Sequence, residues 1–324
     1  MATTKGSSSS STTLCAAYPG KKNSTTNFNT PSSTSSTIPP SLAVIVLNWN
    51  NYHDTSACIS SLKASDARIQ IIVVDNHSSE SLREITRDPA VHLIRTEANL
   101  GYAGGNNVGI RYALEQGFPY IAILNNDLLV MPDFLSACLE GLRHADIVSG
   151  HILYPNGETY AKGGAIDYVT GTGRHLKKTG MPITFMPGCA IITKAEVLRK
   201  TEGFDERYFL YYEDTDWSAR AAAAGFSFAI VNACATHKVA ATTGRFSRLY
   251  IYYMVRNQLL WIRTHIHPLQ RHLITYPLYL VRTIGGYTAL CLLRRQPRLI
   301  LEIWRALRDF RFNRFGPGKH LYKR

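Results

Sequence analysis

From residue 41 the chain reads as blocks of apolar positions separated by amphipathic stretches. Leu42 to Leu47 (LAVIVL) and Ile69 to Val74 (IQIIVV) are short, almost wholly apolar runs. Such runs suit parallel strands covered on both faces. Val91 to Ile94 and Tyr120 to Leu124 read as two further strands. The stretches between them carry helical spacing. Asp54 to about Ala64 places Cys58, Ile59 and Leu62 on one face, and Ser78 to Thr86 reads as a short helix with Leu82 and Ile85 inward. Gly105 to Gln116 reads as a helix capped by Asn106 and stopped by Gly117. Pro132 to Arg143 reads as another. This alternation predicts an α/β fold with a doubly wound, mostly parallel sheet.

In such a sheet ligands sit beyond the carboxyl ends of the strands. Three polar clusters fall there: Asn48-Trp49-Asn50-Asn51, Asp75-Asn76-His77-Ser78 and Asn125-Asn126-Asp127. One cluster would be ordinary turn chemistry. Three in register predict a shared crevice. Asp75 could accept a hydrogen bond from a nucleobase N–H, or cap the helix after it. Asp127 suits a divalent cation, which prefers oxygen ligands and bridges to phosphates, or it caps the turn before Pro132. The stretch Asn99 to Asn107 is rich in glycine (Gly101, Gly104, Gly105) and opens a helix, a weak phosphate signal. Its spacing matches neither the P-loop nor the dinucleotide fingerprint.

Glu213, Asp214 and Asp216 lie within four residues, after the aromatic run Tyr208 to Tyr212. Acids in a first helical turn suit the macrodipole, so a structural role is open. A general base tuned by an apolar wall is the functional alternative. Trp217, Ala221 and Ala224 are expected to pack inward. His237, after a strand expected over Phe228 to Asn232, is either a ligand or a structural residue.

Composition changes this picture in three places. Residues 1–40 are mostly Ser, Thr, Asn and Gly, and are expected to be disordered for want of apolar surface. They lack the apolar core of a secretory signal. The six cysteines are scattered without zinc spacing, which suggests free thiols in a reducing cytosol. The net charge of +13 is confined to one end. From Thr243 onward 16 Lys+Arg face only Glu302 and Asp309, a balance of +14, while the rest holds 20 against 21, or −1. A basic end of this kind suggests anionic partners.

The motifs NWNN, VVDNHSSE, NLGYAGGNNVGI, LNNDLLV and GFDERYFLYYEDTDWSARAAAAGF, taken in order, resemble those of family 2 glycosyltransferases. The likeness is closest to the rhamnosyltransferase branch and spans roughly residues 42–265. It implies a nucleotide-diphospho-sugar transferase fold of the GT-A type. It implies a donor site drawn from Asn48, Asn50, Asp75, Asn76, Gly104, Asn106 and Asn126, with Asp75 on the base of a uridine or thymidine diphosphate sugar. Asp127, with His237 as a further contact, would hold Mg²⁺ or Mn²⁺. Asp214 of the Glu213-Asp214 pair would be the catalytic base. The metal motif usually written D-x-D is Asn125-Asn126-Asp127 here, with one carboxylate. The Q-x-x-R-W motif of processive polymerases is absent, which suggests one addition per encounter. The implied reaction is inverting transfer, with rhamnose as the best match to the branch.

The basic end carries helical patterns of its own. Phe246 to Thr264 reads as a helix in which Tyr250, Tyr253, Met254, Asn257 and Trp261 follow helical spacing. Leu273 to Leu293 is apolar, but Arg282 at its centre would cost about 2.5–3.5 kcal/mol on insertion. An interfacial helix fits better, with Arg294, Arg295 and Arg298 at head-group level. The division expected is a tail (1–40), a catalytic domain (41–242) and a basic amphipathic helical region (243–324). Function follows as transfer to a polysaccharide or lipid-linked glycan, at the cytoplasmic face of an anionic membrane. The helical region could instead pack on the catalytic core as an ordinary subdomain. Two other functions stay open. One is a sugar nucleotidyltransferase, although NWNN stands where that class has a Gly-rich loop with a basic residue. The other is a carbohydrate- or nucleic-acid-binding protein, although no nucleic-acid module is present.

Overall fold

The computed structural model describes residues 41–65, 67–82, 84–238 and 246–322. The expectations for residues 1–40, and the boundary drawn at 242/243, fall outside them. The first four strands are β1 (Leu42–Asn48), β2 (Ile69–Asp75), β3 (Val91–Arg95) and β4 (Tyr120–Asn125). They form the parallel half of a nine-stranded sheet, in the order β3-β2-β1-β4. The other half is mixed. β10 (Ala190–Lys194) runs antiparallel to β4 and to β6 (Ile147–Leu153). β11 (Phe228–His237) is parallel to β6, and β5 (Leu128–Val130) closes the edge antiparallel to β11. β7 (Thr159–Ala161) pairs with β6, and β8 (Gly164–Asp167) and β9 (Thr172–His175) form a separate hairpin.

Side chains alternate across each strand, so the two faces build separate cores. Val44 and Val46 of β1 face Cys58, Ile59 and Leu62 of α1 (Tyr52–Lys63) and Phe134 of α3 (Phe134–Gly141). Ala43 and Ile45 face Ile110 of α2 (Gly101–Glu115), Leu198 of α4 (Ala195–Thr201) and Trp217 of α5 (Glu213–Ala223). A third core joins the aromatic run Tyr208 to Tyr212 with α6 (Arg248–His265) and the final helix, Ile300–Arg311. Residues 268–293 form a helical run with alternating α and π turns. Among the described residues no helix is long and apolar enough to cross a membrane.

Three local expectations change. Helix α2 begins at Gly101, four residues before the expected start, so Asn106 is inside the helix and not its cap. The cause is non-local: the Phe209 carbonyl accepts from the amides of Tyr102 (2.6 Å) and Ala103 (3.3 Å). Ser78 to Thr86 holds only a single 3₁₀ turn, Ile85–Arg87, although Leu82 and Ile85 are buried as expected. Strand β11 runs on to His237. Cys58, Cys138, Cys189 and Cys291 are free and buried.

Candidate functional site

Strand register places the polar clusters side by side. Asn48 pairs with Asp75 across β1 and β2, and Leu47 with Asn125 across β1 and β4. The predicted crevice therefore follows directly from sheet geometry. Asn48 is buried; its amide donates to Ser78 Oγ (3.0 Å) and its oxygen accepts from Thr55 Oγ1 (2.8 Å). Thr55 also accepts from Asn126 Nδ2 (2.9 Å), so one hydroxyl ties two clusters together. Asn50 Oδ1 accepts from the amide (2.7 Å) and hydroxyl (2.9 Å) of Ser79. Asp75 is 1% exposed; Oδ1 accepts from the Ser78 amide (3.0 Å) and Oδ2 pairs with half-exposed Arg95.

Asn76 spends its side chain on the loop that enters α2. Its Nδ2 donates to Asn99 Oδ1 (3.1 Å) and the Gly101 carbonyl (3.0 Å), and its Oδ1 accepts from the Leu100 amide (2.8 Å). The glycines after it serve packing. A Cβ at Gly105 would lie 2.5 Å from Leu47 Cδ1, and one at Gly104 would lie 2.9 Å from Leu100 Cβ. Neither Gly104 nor fully buried Asn106 lines the cavities of this crevice. The phosphate reading of the Gly-rich stretch loses its basis here, because the Phe209 carbonyl already occupies amides of that helix N-terminus.

His237 comes to Asp127 because β11 pairs with β5, setting His237 opposite Leu128. His237 Nε2 is 3.0 Å from Asp127 Oδ1, and Asn125 Nδ2 is 3.3 Å from the same nitrogen. Burial disfavours a charged His237, but Cys189 and the Asp127 carboxylate outweigh it and raise its pKa to about 10. Asn125 Oδ1 is buried and makes no hydrogen bond, and Asp127 Oδ1 has only the His237 ring for a partner. Unpaired buried oxygens are costly, and they suit a hard cation. The donor set is thin: among the described residues no three His, Cys, Asp or Glu side chains converge to hold a metal. A cation here would lean on Asp127 and on oxygens brought by the ligand.

Across the crevice, Asp214 opens α5. Its Oδ2 accepts from the Gly188 amide (2.9 Å) and its Oδ1 from the amide (2.7 Å) and hydroxyl (3.2 Å) of Thr215. A Cβ at position 188 would meet Asp214 Oδ2 at 3.1 Å, so glycine permits this approach. The Gly188 carbonyl accepts from Tyr102 Oη (2.6 Å). Burial raises the pKa of Asp214 against these hydrogen bonds. Burial, reinforced by Asp214, raises that of Glu213 further, and Glu213 Oε2 is unpaired. Burial and the charges of Glu213, Asp214, Cys189 and Asp127 keep Tyr102 protonated. Asp216, the third acid, faces away; it bonds Arg220 Nε (2.8 Å), His265 Nε2 (2.8 Å) and Tyr208 Oη (3.2 Å). It is structural.

Two cavities open into this crevice. One, of about 350 Å³, is lined by Trp49, His77, Asn99, Phe209, Pro317, Lys319 and Tyr322. The other, about 130 Å³, shares Trp49, Asn99, Phe209 and Tyr322 and reaches Tyr102 and Asn126. The sequence motifs contain Trp49 and Tyr102 without assigning them a role, and they do not reach Lys319 or Tyr322. For Trp49 the signal was available, as an aromatic side chain inside a strand-end polar cluster.

Residues 43–201 match the family model "Glycosyl transferase family 2". This stretch is a family 2 glycosyltransferase domain. It is 26% identical over 194 residues to the low-salt glycan biosynthesis hexosyltransferase Agl10 of Haloferax volcanii, covering 56% of this chain and 61% of that protein. It is 25% identical over 239 residues to an N-acetylglucosaminyl-diphospho-decaprenol L-rhamnosyltransferase of Mycobacterium tuberculosis, covering 63% of this chain and 78% of that one. The fold is similar to that of the mannosyltransferase PcManGT from Pyrobaculum calidifontis in complex with GDP-Man and Mn²⁺. The TM-score is 0.54 at 15% identity, over 86% of this chain and 88% of the other. The expected GT-A type architecture is therefore present, with a mixed, mostly parallel sheet and C-terminal helices.

Proposed function

We propose that the crevice binds a nucleoside-diphosphate sugar and that Asp214 is the base of a single inverting transfer. The observation that carries this is the state of Asp214: oriented by Gly188 and Thr215, set beside unpaired Glu213, and raised in pKa by burial. An inverting transfer needs one such base to take the proton of the attacking hydroxyl. Glu213 holds its proton more tightly, so Asp214 is the better base of the two. Tyr102 keeps its hydroxyl on the Gly188 carbonyl and steadies the peptide that orients Asp214.

On the donor side Asp75 accepts the base N–H in place of Arg95, whose half-exposed side chain can swing aside. Asn48, Asn50 and Asn126 shape the same wall. Asp127, with His237 beside it, would hold Mg²⁺ or Mn²⁺. A cation held there would supply Lewis-acid stabilisation of the leaving diphosphate. Rhamnose is the proposed sugar, supported by the motif resemblance and by the name of the mycobacterial relative. That name also supports a polyprenyl-diphosphate-linked glycan as acceptor.

An acceptor of that kind is lipid-bound, which agrees with the surface of the C-terminal helices. Leu273 (68% exposed), Val281 (73%), Leu293 (81%) and Trp304 (67%) stand in water. Arg282, Arg295 and Arg298 share that region. Exposed apolar side chains among basic ones suit an anionic membrane surface. We therefore place the enzyme peripherally at a cytoplasmic membrane face.

The test is a thermal-shift panel of nucleoside diphosphates with and without Mn²⁺, followed by transfer assays on those that bind. Stabilisation by a uridine or thymidine diphosphate, enhanced by Mn²⁺, is expected. A protein that binds donor yet never transfers sugar would instead be a binding module.

A further inference from the structure

The last turn of the described chain sits in the crevice, more than ninety residues beyond the acidic helix. We infer that the segment Gly316 to Tyr322 is part of the donor site. Lys319 takes the diphosphate of the nucleotide, and Tyr322 closes the cavity across from Trp49. This rests on the reading of the crevice as a nucleotide-sugar site.

The segment is built in, not draped. The Gly316 amide donates to the Arg207 carbonyl (2.9 Å), and the Gly316 carbonyl accepts from Arg256 Nη1 (2.7 Å). The Gly318 amide donates to Tyr253 Oη (2.9 Å). A Cβ at Gly318 would lie 2.9 Å from the Tyr252 ring, so the close approach requires glycine. His320 Nε2 meets buried Glu302 Oε2 at 2.8 Å. The Tyr322 ring stands edge-on to Phe209, with centroids 5.9 Å apart. Between and after these anchors, Pro317, Lys319 and Tyr322 line the cavity.

Charge gives Lys319 its role. The crevice is acidic, with Asp75, Asp127, Glu213 and Asp214 around it. A diphosphate entering such a site needs cations. Arg95 sits beside Asp75, at the base end of the proposed donor site. Lys319 is exposed at the cavity and makes no ion pair among the described residues. A lysine ammonium is a suitable point charge for phosphate. Arg256 also links this segment to the catalytic loop: the guanidinium that holds Gly316 holds the Arg207 (3.2 Å) and Tyr208 (3.0 Å) carbonyls.

The experiment measures binding of uridine and thymidine diphosphates, and of the matching nucleosides, to the full chain with Mn²⁺ present. Lys319→Met is expected to weaken the diphosphate about tenfold while the nucleoside binds as before. Tyr322→Ala is expected to weaken both. Because Lys319 is exposed, its variant should keep the wild-type melting temperature. Unchanged diphosphate affinity in Lys319→Met would overturn the inference. So would a loss confined to the KM of a polyprenyl-diphosphate acceptor, which would assign the lysine to the other substrate. If the wild-type chain bound no nucleoside diphosphate, the donor reading itself would fall, and the inference with it.

Discussion

The crevice and the helical layer behind it both bury polar groups, but they treat them in opposite ways. In the crevice Asn125 Oδ1 and Glu213 Oε2 are left without partners, and Asp127 Oδ1 has only the His237 ring. In the helical layer Glu302 bonds Arg248, Arg305 and His320, and Asp309 bonds Tyr252 and Arg308. Fully buried Arg256 spends all three guanidinium nitrogens on Asn257, Tyr252 and three carbonyls. The orphans there are Trp261 Nε1, Arg271 Nε and Thr275 Oγ1, none of them on a carboxylate. Orphaned groups cost stability, so a fold keeps them where a ligand will satisfy them. Paired groups fix geometry.

The largest expected effect breaks the crevice side. Asp214→Asn should lower kcat about 10²- to 10⁴-fold, the usual contribution of a general base. Nucleotide affinity should stay near wild type. Turnover near wild type in a steady-state assay would remove Asp214 from the mechanism.

The same burial predicts an acid limb in the wrong place for an ordinary aspartate. Asp214 works ionised, and burial raises its folded pKa. Activity should therefore fall as pH drops through a value above the usual 3.9 or so, about tenfold per unit below it. Stability should move the other way. A buried carboxylate with a raised pKa destabilises the fold wherever it must ionise. Glu213→Gln should thus raise the melting temperature at pH 8, with the gain shrinking in acid. A pH–rate profile and melting curves at two pH values check both.

On the helical side, Asn257 is the residue to remove. Phe209, Tyr211 and Tyr212 all have positive φ (65°, 66° and 74°), unfavourable for non-glycine residues. Asn257 Nδ2 lies 2.7–2.9 Å from the Tyr208, Leu210 and Tyr211 carbonyls and holds that loop against α6. Asn257→Ala should cost about 1–3 kcal/mol, the usual cost of stranded buried groups. It should also lower kcat more than donor affinity, because Glu213 and Asp214 follow the strained loop directly. Loss of stability with kcat intact would show that the helical layer does not position the acids.

How much of this could be read in the sequence follows the same divide. The parallel strands were legible because strands covered on both faces are nearly continuous apolar runs. Their end clusters were legible because register carries Asn48, Asp75 and Asn125 to one edge. The start of α2 was not, because the cap is the carbonyl of Phe209, a hundred residues away. The three-residue β7 and the four-residue β8 and β9 are too short to carry a periodic signal. The pairing of His237 with Asp127 needed β11 to extend five residues past its apolar start. Lys319 and Tyr322 left no local trace, since what places them is a buried arginine sixty residues earlier.

The smallest expected effect lies far from both regions and tests whether the divide is general. Asp146 precedes β6 and is fully paired: Oδ1 with Lys194 Nζ (2.8 Å), Oδ2 with the Ser227 amide (3.0 Å) and hydroxyl (2.8 Å). Burial works against its charge, but Lys194 and Ser227 prevail and depress its pKa to about 2. A depressed carboxylate stabilises the fold above its unfolded pKa, and that contribution is lost as pH falls from about 4 toward 2. Asp146→Asn should therefore cost about 1–2 kcal/mol at neutral pH, in line with charged hydrogen bonds at a partly exposed site. It should cost almost nothing near pH 2, and it should leave kcat and nucleotide affinity unchanged. Denaturant titrations at the two pH values, run beside a transfer assay, separate the cases. A drop in turnover would mean that paired acids outside the crevice also bear on catalysis, and the contrast between orphaned and satisfied groups would no longer mark the active site.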